Sequence, residues 1–178
     1  MLSDLSTESP RTTLGLVASA WGVVGFLLIL IYAIYRLAEI SADALSQPLA
    51  ASHWGLLIAN LIFMAYYEGY KGFQKSYSPR LAARAKHLQT NATPLQFLLA
   101  PLFCMSFFHA PRRRIIASLL LTLMIVVFVL SFRLLPQPWR GILDAGVVVG
   151  LSWGLIATIA NCYCAFTNSE WQVDPEVV

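Results

Sequence analysis

The sequence predicts an all-α polytopic membrane protein: four transmembrane helices, a short re-entrant or interfacial helical segment, and amphipathic helices on the cytoplasmic side. Three observations predict it. Of 178 residues, 58% are hydrophobic and only 12% charged, whereas roughly a quarter of a soluble domain is charged. Mean hydropathy is +0.67. Uncharged runs as long as the roughly 17–25 residues that cross a bilayer alternate with short charged segments. The chain reads as one membrane domain, 1–178, with no stretch left for a separate soluble catalytic domain.

The first span is expected at about 14–35, "LGLVASAWGVVGFLLILIYAIY", between Arg11 in a cytoplasmic N-tail (1–13) and Arg36. "ASA" at 18–20 resembles a signal-peptidase site, but the apolar run before it covers only 14–17. A signal needs about 7–15 apolar residues ahead of the cut, so the run is expected to stay as a span. The second span is expected at 49–67, the third at 115–132 and the fourth at 142–166, followed by a C-tail, 167–178.

Between the second and third lie a basic cytoplasmic loop, 68–94, and a shorter apolar piece, 95–110, with Pro101 near its middle. As a helix its fifteen residues from 95 to 109 would measure about 22 Å, short for a crossing. Charge favours a dip. Lys71, Lys75, Arg80, Arg84 and Lys86 precede this piece and Arg112, Arg113 and Arg114 follow it, so it is flanked by eight of twelve cations. If it enters and returns, or lies in the interface, all eight fall on the cytoplasmic side, where Lys and Arg concentrate. A five-span layout is the alternative. The four-span layout places both termini in the cytoplasm, and a bacterial inner membrane is the expected location.

The stretch "YYEGYKGFQKSYSP", 66–79, is expected as an exit helix. At α-helical spacing Tyr66, Tyr70, Phe73 and Tyr77 share one face and Tyr67, Lys71 and Lys75 a neighbouring one. Pro79 disfavours helix at Ser78, so a new segment, "RLAARAKHL", is expected there. Tyr70, Lys71, Phe73, Lys75, Arg80, Arg84, Arg112, Arg113 and Arg114 then form a lipid-facing basic and aromatic surface, suited to anionic headgroups. Glu68 can pair with Lys71; the sharper reading makes it a proton or cation group at the mouth of a pathway.

In the fourth span Gly146, Gly150 and Gly154, extended by Thr158, form a small-residue row that lets helix backbones approach closely. Contact with the first span, or with a second protomer, is expected there. Arg140 and Asp144, four apart, read as an ion pair fixing the outer loop or as an external ligand site. Asn60 and Asn161 lie within spans, where an amide makes an interhelical hydrogen bond or contacts a substrate. "HWGLLIAN" and "SWGLIATIAN" hint at duplicated hairpins. His53, His87 and His109 are too scattered for haem or metal, and the three cysteines form neither a disulfide framework nor a zinc pattern. "NAT" at 91–93 matches a glycosylation acceptor but is expected in the cytoplasm. No phosphate loop, nucleophile motif or nucleic-acid surface is indicated, and no cofactor.

Together "EGYKGFQ", "FFHAPRRR" and "PQPWRGILDAGVVVGLSWG" resemble a family of uncharacterised bacterial-type integral membrane proteins, across much of 68–154. The resemblance implies a small membrane family and carries no activity or ligand. Expected functions are, in order, a non-enzymatic membrane subunit or assembly protein, a small-solute or ion transporter using the short segment, and a lipid- or quinone-modifying enzyme. The expected partners are anionic lipids and a membrane protein or a second copy through the Gly146/Gly150/Gly154 face.

Overall fold

The computed structural model describes residues 12–168 and 171–177. Of the expected N-tail only Thr12 and Thr13 fall within it; Arg11, and residues 169, 170 and 178 of the C-tail, lie outside the described residues. Every described element is helical: α1 (Thr13–Leu45), α2 (Ala51–Met64), a π-helical segment (Ala65–Tyr77), α3 (Ser78–Asn91), α4 (Pro94–Leu98), α5 (Ala100–Cys104), α6 (Arg112–Phe132) and α7 (Trp139–Thr167). Three of them, α1, α6 and α7, are long and apolar enough to cross a membrane.

α1 starts where Thr12 Oγ1 accepts from the Gly15 N–H, a side-chain cap on an otherwise unpaired donor. It runs 33 residues, about 50 Å, ten residues beyond the expected end of the first span. The added turns have a purpose in packing. Ala44 and the Ile40 carbonyl close onto Gly141 at the start of α7, at a distance that leaves no room for a Cβ. Gln137 Nε2 also donates to the Ile40 carbonyl at 3.3 Å.

α2, the π segment and α3 follow one another without interruption from 51 to 91. The expected break at Pro79 does not occur, because Ser78 is αR with φ −61° and ψ −41° and Pro79 occupies the first turn of α3. That is where the missing N–H of proline is tolerated, as the wide π ladder gives way to the α ladder. This rod packs beside α7 in the same direction. His53 meets Trp139 ring to ring at 4.6 Å, Asn60 Nδ2 donates to the Ile142 and Leu143 carbonyls at 2.9 and 3.2 Å, and the Ser78 and Thr158 hydroxyls are 2.9 Å apart.

The short apolar piece forms α4 and α5, which pack on α1. A Cβ on Gly22 would lie 2.7 Å from Cys104 Sγ, and one on Gly25 2.6 Å from Pro101 Cγ, so Gly22 and Gly25 of α1 receive this piece and not α7. The core joins Val23, Phe26 and Leu30 of α1 to Leu81, Ala85 and Leu88 of α3, Phe103 and Cys104 of α5, and Cys162 and Ala165 of α7. α6 differs from every other long helix. It contributes no buried residue, and no described element makes more than a marginal contact with it.

Candidate functional site

The face between the π segment and α7 gathers most of the polar groups singled out in the sequence. An i→i+5 ladder has a wider turn than an α-helix, and its effect is visible in the register. Glu68, Phe73 and Ser78, five apart on the rod, meet Gly150, Gly154 and Thr158, four apart on α7. The glycine row is therefore filled within one chain, by Asn60 at Gly146, Glu68 at Gly150 and Phe73 at Gly154. Within the chain the row meets the α2–π rod and not α1, contrary to expectation.

The π ladder also overturns the expected aromatic face. Phe73 and Tyr77 turn inward, with Tyr77 5.3 Å from the Phe26 ring and 5.7 Å from Phe73. Tyr66 and Tyr67 stay exposed. Lys71 lies over the rings of Tyr66 and Tyr67 at 5.1 and 5.2 Å, and Lys75 over Tyr70 at 4.8 Å. Such contacts hold an ammonium against an aromatic face. The expected Glu68–Lys71 pair does not form. Glu68 Oε2 is buried without a hydrogen-bond partner, level with the interior of α7 and not with its end.

The other polar candidates are dispersed. Asp144 is 3% exposed, with Oδ2 3.7 Å from Arg140 Nε, an ion pair without a hydrogen bond between those two atoms. Asn161 donates to the Ala157 carbonyl of its own helix at 2.8 Å. Trp153 Nε1 donates to Gln74 Oε1 at 2.7 Å while its ring covers Gly69. The two Trp-Gly-Leu runs are not equivalent, since Gly55 faces open space and Gly154 faces Phe73. Among the described residues no cluster of three or more His, Cys, Asp or Glu is arranged to hold a metal ion.

Arg84 is the largest departure from expectation. Placed by the sequence on the lipid-facing surface, it is 1% exposed. Its Nε donates to the Phe103 carbonyl at 2.7 Å, Nη2 to those of Phe108 and His109, and Nη1 to those of Pro175 and Glu176. A guanidinium has five N–H donors and no acceptor, and here five carbonyls receive it. Phe103 also stacks beneath it, 4.1 Å from ring centre to Cζ. Burial holds this guanidinium below its usual value, with Cys104 and Glu176 opposing.

Arg114 leaves the lipid-facing set as well, pairing with Glu176 through two bonds of 2.5 and 2.8 Å. Arg80 folds back onto the Ser76 carbonyl and hydroxyl, whereas Arg112 and Arg113 are exposed. Beside this cluster the described tail residues cover an open cavity of about 480 Å³ lined by Lys86, His87, Thr90, Trp171 and Asp174.

No family model, curated protein or solved structure matches the chain. Sequence reasoning missed Arg84, though a signal was present: it stands three residues after Leu81 and four before Leu88, on their helical face.

Proposed function

We propose that this protein is a non-enzymatic integral membrane subunit, which uses one unpacked span to dock on a partner membrane helix and a basic cytoplasmic face to meet anionic lipid. It crosses four times, through α1, the α2–π rod, α6 and α7, with 95–110 dipping in and returning and both termini in the cytoplasm of a bacterial cell. One observation carries the docking: α6 contains an 18-residue stretch of mean hydropathy 2.9 of which none is buried. Its bonds to the rest of the chain gather on its first turns, at Arg114 with Glu176 and at Ser118 with the Met105 carbonyl. A helix packed only at one end has its remaining faces free for lipid or another helix.

A photo-crosslinker at Leu123 or Phe128, both exposed, tests this in native membranes. One discrete protein adduct at both positions is the expected result. Adducts to lipid alone overturn the docking role. A second reading, a small-solute or ion carrier, draws on the packing of Pro101 against Gly25 inside α1, since irregular backbone within a membrane is tolerated where it lines a cavity. It requires a cysteine at Pro101 to react with a water-soluble maleimide.

A further inference from the structure

We infer that Glu68 is a proton-binding site inside the helix bundle, its carboxyl held neutral against the glycine face of α7. The site is shaped for that side chain. Gly150 presents bare backbone, and a Cβ there would coincide with the carboxyl group, 2.8 Å from Cδ and 3.0 Å from Cβ of Glu68. Oε2 is buried and accepts no hydrogen bond. An ionised carboxylate without a partner in apolar surroundings is so costly that such a group takes up a proton instead.

Among the described residues no charge is paired with it. On the π segment Lys71 and Lys75 are held over Tyr66, Tyr67 and Tyr70, and Tyr77 is turned into the core beside Phe26. On α7 no ionisable residue lies between Asp144 and Cys162. Asp144 is six residues from Gly150, about 9 Å along the helix, and is engaged by Arg140. On α2 the only ionisable group is His53, at the far end against Trp139. On α3 the first are Arg80, bound to Ser76, and Arg84, bound to five carbonyls, followed by Lys86 and His87.

The ligand is a proton and not a metal cation. A hard cation such as Ca²⁺ takes about six to eight oxygen ligands, and among the described residues no group of three or more His, Cys, Asp or Glu is arranged to hold a metal ion. The π ladder supports the assignment, because it turns Glu68 into this face where α-helical spacing would not carry Phe73 and Ser78 with it. Departures of this kind recur at functional sites.

Dicyclohexylcarbodiimide tests the site on the full chain in lipid nanodiscs. A neutral carboxyl adds across one C=N bond: the acid proton passes to nitrogen, the carboxyl oxygen bonds to the central carbon, and the adduct rearranges to a stable N-acylurea with nothing released. Peptide mass spectrometry is expected to locate this adduct on Glu68 of the wild-type chain, at a yield that sodium does not lower. At high pH the yield falls, by about tenfold per pH unit once the carboxyl ionises. Glu68→Gln loses the adduct, and Gly150→Ala, which crowds the carboxyl, lowers it. Three outcomes overturn the proposal: no adduct at Glu68 at any pH, protection by sodium, or equal labelling of Glu68 and the exposed Glu39 by a water-soluble carbodiimide. All three are read on the wild-type chain, so a variant that fails to fold leaves the proposal open to refutation.

Discussion

A buried guanidinium donates here to five backbone carbonyls from three separate stretches of chain. Arg84 thereby fixes the end of α5, the bend at Phe108 and His109, and the tail at Pro175 and Glu176 to α3. Lysine offers three donors from one point and no planar fork. Arg84→Lys therefore leaves buried carbonyls unpaired, at about 1–3 kcal/mol for each group, and a loss of at least about 3 kcal/mol is expected as a lowered midpoint of thermal unfolding in detergent. An unchanged midpoint would mean that the carbonyls find water. A register pointing Arg84 inward was present in its spacing from Leu81 and to Leu88, but the expected lipid-facing placement missed it. What composition hid is that a cation can be satisfied by backbone alone, and backbone leaves no mark in the sequence.

At the level of elements, the small-residue row on α7 was legible and its partner was not. Gly146, Gly150 and Gly154 recur at an interval that any helix keeps, so the row survives without knowledge of the fold. Its partner is read in steps of five along the π segment, and a period of 3.6 places Phe73 with Tyr66 and Tyr70 when it belongs with Glu68 and Ser78. Two substitutions separate tight from open glycines. Gly154→Ala sets a Cβ 2.5 Å from Phe73 Cδ2, and overpacking of this kind costs about 1–3 kcal/mol. Gly55→Ala meets nothing within 4 Å and is expected to gain up to about 1 kcal/mol from helix propensity. Opposite shifts in unfolding midpoint are the expected result; equal shifts would sink the assigned register.

The tail adds a dependence on pH. The hydrogen bond from Arg114 holds Glu176 below the usual carboxylate range, reinforced by the charges of Arg114, Arg80 and Arg84. Burial, with Arg84 beside it, holds His87 below the usual imidazole value. Both folded values are depressed, so both contributions are present above the unfolded values and fade as pH falls. The His87 contribution fades first, below about pH 6.5, and that of Glu176 below about pH 4. Hydrogen exchange at 171–177 is expected to lose protection in that order on acidification, with the lower step absent in Glu176→Gln. Protection that increases toward low pH would refute the sign.

For the molecule as a whole, three helices of sufficient length and apolarity agree with the composition that first placed the chain in a membrane. How 95–110 is disposed depends on where its ends lie. Gln89, before it, accepts from the Thr12 N–H and touches Gly15 at the start of α1. Pro101 sits ten residues further along α1 at Gly25, about 15 Å deeper. Phe108 and His109, after it, return to Arg84 on α3, seven residues before the last of that helix. The proposed dip rests on this placing of entry and exit toward one end of α1. A chain lacking its three native cysteines, with single cysteines at Thr90, Arg113 or Leu134, tests this in sealed inverted vesicles. Thr90 and Arg113 are expected to react with an impermeant maleimide added outside, and Leu134, 85% exposed at the far end of α6, only after the vesicles are opened. If Thr90 and Arg113 react from opposite sides, 95–110 crosses the bilayer. Arg112 and Arg113 then leave the basic cytoplasmic face, and the span count becomes odd.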